Sequence, residues 1–584
     1  MKSSILRTLR GTLVAMTSPD GLFRLSKMAC IVSVFCAATA TISPAQTYNP
    51  LLSFNGTNGA HPHYVYLVQG TDGQLYGTAY SGTGNGGTVF KITTGGAFTP
   101  LYNFCIHGLP CTDGAQPNAG LVLATDGNFY GTTMNGGAYP AACAIGCGTV
   151  YQITPGGSLT TLHTFDSTDG AEPEVGLIQA SNGALYGTTS YGGTSGVGTT
   201  FEIETGGAFR PLGSFDGANG DYPNARLVEG PGPIADLFGV TYEINSGTGS
   251  VYEADYFGNI VTVYTFQPAH GAGPTGALIQ ATNGNFYGTT QGGGKGDNSQ
   301  GTVFEITPAG KLTTLYSFCA KPDCTDGATP IGGLIQGTDG DLYGTTFSGG
   351  TNETSCNGGC GTIFKITTAG KLDTLYNFCT QSGCTDGSQP QEGLVQHTNG
   401  NFYGMTYYGG TNGLGTIFSL SSGLGPFVQT LPTSAKVGST IIVMGNDLTG
   451  ATQVLFNGIA AAFTIISSTE ITATVPTGAT TGTVTVVTPN GTLKSNLIFY
   501  VIVAPQIKSF TPTSGPVGTA VTITGVGLSQ TEEVAFGGVS ATDYTVDSDK
   551  KVIATVPAGA ETGQITITTP AGTATSTKSF TVKE

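Results

Sequence analysis

Between residue 51 and about residue 420 the chain is a succession of short runs, apolar throughout or alternating apolar and polar, separated by Gly-rich breaks. None sustains a helical period, and runs of this length bounded by Gly and Pro predict strands. They come in groups of four. In the second group they fall at Gly120 to Thr125, Phe129 to Thr133, Gly148 to Thr154 and Leu159 to Phe165. Asp126-Gly127 separates the first two and Pro155-Gly156-Gly157 the last two, both tight hairpin turns in which glycine accepts positive φ. Each group therefore predicts a four-stranded antiparallel meander.

The second run recurs as LYGT at Leu75, FYGTT at Phe129, LYGTT at Leu185, LFGVT at Leu237, FYGTT at Phe286, LYGTT at Leu342 and FYGMT at Phe402. Its glycines, Gly77, Gly131, Gly187, Gly239, Gly288, Gly344 and Gly404, are spaced 49 to 60 residues apart. The third run recurs in step with it, from GTVF at Gly87 to GTIF at Gly415. Seven meanders of about 50 residues fit the blades of a β-propeller better than the shorter repeats of a solenoid.

The fourth run appears in full only six times, at Phe98 to Phe104, Leu159 to Phe165, Phe209 to Phe215, Ile260 to Phe266, Leu312 to Phe318 and Leu372 to Phe378. After the seventh third strand the chain passes into Ser421-Ser422-Gly423. The missing run has its counterpart in Leu51-Leu52-Ser53-Phe54, ahead of the first meander. The pattern predicts that the amino-terminal strand completes the last blade and closes the ring, which removes exposed sheet edges.

From Gly423 the composition shifts to two copies of a different unit, Pro432 to Val503 and Pro512 to Val582. They share Val437-Gly438 with Val517-Gly518, and Val475-Pro476 with Val556-Pro557. Alternating runs such as Ser439 to Val443, Thr483 to Val487, Ala520 to Thr524 and Gln564 to Thr568 suit small immunoglobulin-like sandwiches. The stretches PTSGPVGTAVTITGVGL from Pro512, VAFGG from Val534 and ATVPAGAETGQITITTPAG from Ala554 resemble the IPT/TIG domains. The tandem pattern LYGTT, GG, GTVFKIT and LTTLYSF resembles the bacterial tandem-repeat family of GloVer, or choice-of-anchor, type. That resemblance implies a secreted or surface protein of undefined activity. The expected fold class is all-β, a seven-bladed β-propeller followed by two immunoglobulin-like (IPT/TIG) β-sandwiches. The expected boundaries are 1–45 signal peptide, 46–423 propeller, 424–503 first sandwich and 504–584 second sandwich.

Composition agrees with this reading. Glycine numbers 93 of 584 residues and charged residues are only 10%, yet hydrophobic residues reach 39%, enough to build cores. A basic stretch up to Lys27, an apolar run from Met28 to Ala40 and the small-x-small pattern Ser43-Pro44-Ala45 predict an export signal cleaved before Gln46. Residues 1–45 hold Lys2, Arg7, Arg10, Arg24 and Lys27 against Asp20, so of the total −16 the remainder carries −20. That charge argues against nucleic acid and anionic membrane as partners. No later segment is long and apolar enough to span a membrane as a helix.

Ten cysteines follow the export signal, in five close pairs: Cys105 with Cys111, Cys143 with Cys147, Cys319 with Cys324, Cys356 with Cys360, and Cys379 with Cys384. Three pairs occupy loops after a fourth strand and two occupy loops before a third strand. An even count in an exported chain predicts local disulfides that stiffen single loops. A metal site would need four convergent ligands, and in sequence no second pair accompanies any one of them. These loops all emerge on one face of the meanders, whereas the other face carries only short turns. A loop-rich face on a rigid frame is where a ligand is expected.

The same face carries seven G-x-x-P elements, at Asn58 to Pro62, Asp113 to Pro117, Asp169 to Pro173, Asn219 to Pro223, His270 to Pro274, Asp326 to Pro330 and Asp386 to Pro390. Asp or Asn before Gly is turn chemistry, with the side chain capping backbone N–H groups. Calcium is the competing use, against which stands the single carboxylate in each loop. In the innermost strands Gln69, Gln179, Glu229, Gln280, Gln336 and Gln396 share one register, interrupted by Leu123. Pointing inward they would form a polar channel ring for water or a small polar ligand; their other use is to satisfy backbone groups between blades. No residues are assigned to catalysis: the histidines occupy non-equivalent positions, and no G-x-S-x-G or H-E-x-x-H motif is present. The expectation is an exported, non-enzymatic binding or adhesion protein without a cofactor, whose partner is an extracellular polysaccharide or a surface protein. An extracellular polysaccharide lyase or glycoside hydrolase is the first alternative, and a structural cell-envelope protein the second.

Overall fold

The computed structural model describes residues 46–583 except 107, 109–110, 138–142, 231–235, 244–246, 297–299, 353–355, 357, 529–530, 532, 549 and 570. The expected signal peptide, residues 1–45, lies outside the described residues. Residues Thr47–Glu584 form one compact unit. Among the described residues its regular elements are strands and four one-turn 3-10 segments. Among the described residues no helix is long and apolar enough to cross a membrane.

Seven sheets built on a common plan account for the repeats. The second sheet runs in the order Val122–Leu123, Phe129–Thr133, Thr149–Ile153, Leu159–Thr164, each strand antiparallel to the next. Its second strand is buried along its whole length, and the third nearly so. A strand buried on both faces demands continuous apolar or small residues, which is why LYGTT does not alternate. Gly131 is needed because a Cβ there would stand 2.6 Å from the Tyr151 hydroxyl and 3.0 Å from Leu121. The final Thr of the motif has its own task. Thr133 Oγ1 meets Thr149 Oγ1 at 2.8 Å across the strands and donates to the carbonyl of Asn135 at 2.9 Å, ending the strand. The same hydroxyl pair recurs at Thr189/Thr199, Thr290/Thr302, Thr346/Thr362 and Thr406/Thr416.

The innermost strand is shorter than the sequence predicts, two residues at Val122–Leu123 instead of six. The residues just before it approach their counterparts from other sheets instead: a Cβ on Gly176 would stand 2.9 Å from the Gly120 carbonyl.

The last sheet is completed from the amino terminus. Thr47–Ser53 pairs antiparallel with Thr416–Ser421, after Phe402–Thr406 and Val395–Gln396. The pairing includes a register shift between Pro50 and Leu52, matching the shift in the other third-to-fourth pairs, for example between Val150 and Tyr151. Tyr48 stacks on Tyr376 of the sixth sheet with centroids 3.8 Å apart, and Phe54 is fully buried.

Beyond residue 428 two further sheet pairs follow. The first opposes Gln429–Leu431, Thr440–Met444, Glu470–Thr474 and Phe463–Ile465 to Ile459–Ala460, Gln453–Phe456, Val484–Thr488 and Gly491–Lys494, around Val443, Val454, Phe456, Ile471, Val484 and Val486. The second repeats the arrangement around Val521, Ile523, Val534, Phe536, Val552, Ile565, Ile567 and Phe580. Both show the inward–outward alternation of sandwich strands.

The first sandwich packs on the face of the meanders that carries the short turns. Met444, Leu431 and Ile442 join a cluster with Tyr76, Leu123 and Phe129 of the first two sheets. Thr469 Oγ1 donates to the Thr71 carbonyl at 2.7 Å, and Asn446 Nδ2 donates to Thr398 Oγ1 at 2.7 Å. Leu123, the apolar interruption in the Gln row, stands where this contact needs an apolar side chain.

Candidate functional site

The loop-rich face is built from two positions in each sheet. One is the residue before proline in the G-x-x-P element, which adopts left-handed backbone in every copy: His61 (φ 49°), Gln116 (57°), Glu172 (53°), Tyr222 (53°), Gly273 (59°), Thr329 (53°) and Gln389 (54°). Six of the seven are not glycine, and the surrounding ladder holds them there. The carbonyl of Ala171 accepts from Tyr191 N and the amide of Glu172 donates to the Cys147 carbonyl at 2.9 Å. Non-glycine residues at positive φ are costly and collect where side chains must be aimed. The other position is the end of the second strand, where Tyr80, Ser190-Tyr191, Tyr242 and Tyr407-Tyr408 follow the threonine pair.

These positions gather aromatic and acidic groups into one patch. His63 lies 4.1 Å from the Tyr64 ring, 5.8 Å from Tyr80 and 5.4 Å from Tyr407, centroid to centroid. Tyr191 packs edge-on against Tyr222 at 5.2 Å. Gln291 Nε2 donates to the Tyr242 hydroxyl at 2.8 Å, and Ser190 Oγ donates to Glu174 Oε2 at 3.0 Å. Tyr191, Tyr242 and Tyr408 remain 43%, 37% and 43% exposed, so parts of their rings are open to a ligand.

At the middle of the patch the three residues following proline converge. Where the other sheets have Gly120, Gly176, Ala277, Gly333 and Gly393, the first has Tyr66 and the fourth Arg226. The Arg226 guanidinium sits 4.5 Å from the Tyr66 ring centre, and its Nη1 donates to the Tyr66 hydroxyl at 3.3 Å. The glycines make room: a Cβ on Gly120 would stand 2.6 Å from the Tyr66 ring, and one on Gly176 2.5 Å from its hydroxyl. Gly333 and Gly393 approach each other in the same way. Glu392, from the seventh sheet, completes the group, its Oε2 accepting from the Gly393 amide at 3.2 Å.

Burial dominates the electrostatics here. It pushes the Glu392 carboxyl up to about 7, against the opposing pull of the Gly393 amide and Arg226. It also raises Glu174, offset by the Ser190 hydroxyl, and Glu172. The Tyr64 phenol is pushed up to about 12 by burial and then by Glu392 and Glu174. His63 is lowered by burial, so its ring is neutral at physiological pH. The chemistry on offer is therefore flat aromatic faces, neutral hydrogen-bonding groups and carboxylates of reduced acidity.

The residues singled out from sequence fall elsewhere. The Gln row does not line a channel with free amides. Gln179 Oε1 accepts from Thr125 N at 2.9 Å, Gln336 from Thr282 N at 2.9 Å, Gln396 from Thr338 N at 3.1 Å and Gln69 from Thr398 N at 2.9 Å, while Glu229 accepts from Ser181 N. Each is a staple from one sheet to the short turn of its neighbour, the use that backbone polar groups at a tight sheet junction require. Gln280 occupies the same register, with its Nε2 unpartnered. The G-x-x-P carboxylates serve their own loops: Asp326 accepts from Tyr316 Oη and from the amides of Ala320 and Lys321, and Asp386 from Tyr376 Oη and Thr380. The five cysteine pairs, Cys105–Cys111, Cys143–Cys147, Cys319–Cys324, Cys356–Cys360 and Cys379–Cys384, are joined as disulfides with Cα atoms 4.0 to 5.3 Å apart. The patch of Tyr66, Arg226, Glu392 and the surrounding tyrosines escaped the sequence reading. Its signal was present as the two bulky residues breaking a column of Gly and Ala.

Seven meanders and two immunoglobulin-like sandwiches define an all-β repeat protein with appended sandwich modules. The Gloeobacter/Verrucomicrobia repeat profile matches residues 141–356 and 321–459, and the IPT/TIG profile matches 427–501 and 505–582. The chain belongs to the Gloeobacter/Verrucomicrobia repeat family and carries two IPT/TIG domains. No curated protein matches it significantly. Among solved structures it is similar to a surface glycan-binding protein from Prevotella bryantii, at 22% identity and TM-score 0.18, covering 25% of this chain and 38% of that one. A second, SGBP-B from a complex xyloglucan utilization locus in Bacteroides uniformis, gives 21% identity and TM-score 0.16 over 26% of this chain and 48% of that one. The chain thus spans less than half the length of either. A fungal alcohol oxidase of the AA5 family, in complex with copper, matches at 11% identity and TM-score 0.38 over 78% of this chain and 99% of that one.

Proposed function

We propose that the seven sheets close into a seven-bladed propeller, residues 46–423, that binds an extracellular polysaccharide on its loop-rich face without turning it over. Residues 1–45 act as the export signal, and the sandwiches at 424–503 and 504–584 serve as spacer or interaction modules. Closure is supported by the strand Thr47–Ser53 and by the Gln69–Thr398 staple between first and last sheets. It is supported also by the cluster that mixes Phe54, Leu67 and Phe90 with Tyr403, Met405 and Ile417.

The observation that carries the binding reading is the partly exposed tyrosine patch around Glu174, Glu392 and Arg226. Tyrosine faces stack on the C–H faces of sugars, and carboxylates and amides take up their hydroxyls. With −20 on residues 46–584, a neutral or amino-bearing polysaccharide fits better than a polyanion. Glu392 favours one further reading: a carboxyl still protonated near neutrality is suited to general-acid cleavage of the same glycan.

A glycan array followed by calorimetry tests the proposal, with a parallel assay for released reducing ends. Tyr191→Ala, Tyr242→Ala and Tyr408→Ala are expected to weaken binding about 10-fold each, equivalent to roughly 1.4 kcal/mol, with unchanged thermal unfolding. Binding that ignores all three would refute the site. Turnover abolished by Glu392→Gln would replace the binding reading with the catalytic one.

A further inference from the structure

The loop-rich face holds a second cluster, made of sulfur. Cys356 and Cys360 lie before the third strand of the sixth sheet, Thr362–Ile366, and Cys379 and Cys384 after its fourth, Leu372–Asn377. Those strands form a hairpin, so the loops at its open end become neighbours. Cys356 Sγ lies 3.7 Å from Cys379 Sγ, and the four Sγ atoms fall within 4.8 Å of one another. Cys360 and Cys379 are buried, Cys356 and Cys384 half-buried. Among the described residues this is the one group of three or more His, Cys, Asp and Glu ligand atoms so placed.

The convergence that a metal site requires, and that no single pair shows in sequence, is thus supplied by the hairpin. Four thiolates around zinc at about 2.3 Å stand about 3.8 Å apart at the corners of a tetrahedron. The 3.7 Å separation already has that value, the four Sγ atoms lie within 4.8 Å of one another, and opening the two bridges lets the bonded pairs move apart to the same spacing. The other pairs serve as internal controls. After Phe165, the second sheet's equivalent of Phe378, the chain reads Asp166-Ser167-Thr168-Asp169, so Cys143–Cys147 has no second pair there. The loops before the third strand in the first and fifth sheets contain no cysteine to join Cys105–Cys111 or Cys319–Cys324.

We infer that Cys356, Cys360, Cys379 and Cys384 form a redox-dependent tetrathiolate site for Zn2+. In the disulfide form the sulfurs carry no charge to bind a cation. Reduction by a thiol compound opens both bonds: four equivalents of thiol deliver four electrons and four protons and leave as two disulfides. The four cysteine thiols then bind Zn2+ and release four protons to solvent. The metal replaces two loop-local bridges with a single link between the loop preceding the third strand and the loop entering the seventh sheet. The site therefore reports the thiol–disulfide state of the surroundings as a change in the stiffness of the loop-rich face.

The test uses the whole chain, reduced anaerobically with a phosphine, and Co2+ as a spectroscopic stand-in for Zn2+. One equivalent of Co2+ is expected to give the absorption of tetrahedral sulfur coordination, displaced by one equivalent of Zn2+. Zn2+ should also protect four of the ten cysteines in residues 46–584 from thiol reagents, and raise the Tm of the reduced but not of the disulfide-bonded protein. Cys356→Ser and Cys384→Ser should each abolish the four-sulfur spectrum, and the double variant C143S/C147S should leave it intact. A spectrum that survives Cys356→Ser, a stoichiometry well below one, or a reduced chain that loses near-ultraviolet circular dichroism and does not regain it with metal would each overturn the inference.

Discussion

The two faces of the seven meanders share one backbone frame and use it in opposite ways. The face of short turns is built from residues that repeat. The second-strand tyrosine bonds the Asp or Asn of the adjacent turn, as in Tyr76 to Asp72 at 2.8 Å and Tyr343 to Asp339 at 2.8 Å, and the Gln staples join that turn to the next sheet. The patch at the middle of the loop-rich face is made by residues that break the repeat: Tyr66 and Arg226 in a column of Gly and Ala, and Tyr64 as an extra residue after Pro62. One face is held by the first sandwich and the other is open, with its tyrosines partly exposed. Within a repeat protein, agreement between copies marks the frame, and a departure from agreement marks a site or a contact.

The most severe way to break this contrast is to remove the frame beneath both faces. Deleting residues 46–54 leaves the strand Thr416–Ser421 paired on one side only and removes the buried Phe54 and the Tyr48–Tyr376 stack. A loss of more than about 5 kcal/mol is expected, since the last sheet loses a strand and not a side chain. Unchanged thermal unfolding would count against the proposed closure by Thr47–Ser53.

A milder change loosens one face alone. Met444→Ala removes the sandwich side chain buried against Tyr76, Leu123 and Phe129, at an expected cost of about 3 kcal/mol measured by chemical denaturation. The glycan affinity proposed for the opposite face should not move. A parallel loss of affinity would mean that the two faces are coupled and the contrast is wrong.

The finest distinction is in pH. Burial raises Glu392 from the usual 4.5 to about 7, so the folded chain holds a proton that the unfolded chain releases. The stability it contributes is complete below pH 4.5 and is lost as pH climbs through about 7. His397, on the short-turn face, is the reverse case. Its Nδ1 accepts from the Asn399 amide at 3.0 Å and its Nε2 bonds the Gly73 carbonyl at 3.0 Å, a neutral ring joining last and first sheets. Burial lowers its pKa below 6.5, so its stability is present above that value and is lost as pH falls through the lowered one. Glu392→Gln should flatten the fall in stability between pH 4.5 and about 7 by on the order of 2 kcal/mol, and His397→Gln should flatten the loss on the acid side of 6.5 by less. Identical profiles for both variants and the parent would remove the electrostatic difference between the faces.

Much of the frame was legible because strands of a repeat carry their pattern locally. The four runs, the turns and the matching of Leu51 to Phe54 with the absent fourth strand depend on residues adjacent in sequence. The Gln row was legible as a row, and joining neighbouring sheets was one of its two readable uses; which turn amide each Gln accepts from was not, because that turn belongs to another sheet, 54 residues away for Gln179 and Thr125 and 329 for Gln69 and Thr398. Its interruption at Leu123 gained a meaning only from Met444, more than 300 residues downstream.

By itself, then, the sequence determined the count of sheets, their strand order, the appended sandwiches, the loop-rich face and the family, all of them consequences of periodicity and local turn chemistry. Only the tertiary structure decided that Tyr66, Arg226 and Glu392 meet, that four cysteines from two loops converge, and which face the first sandwich covers. The cysteines meet because one hairpin brings its two loops together; the others are contacts between residues far apart in the chain, and Tyr66 fits because glycines in other sheets leave space for its ring.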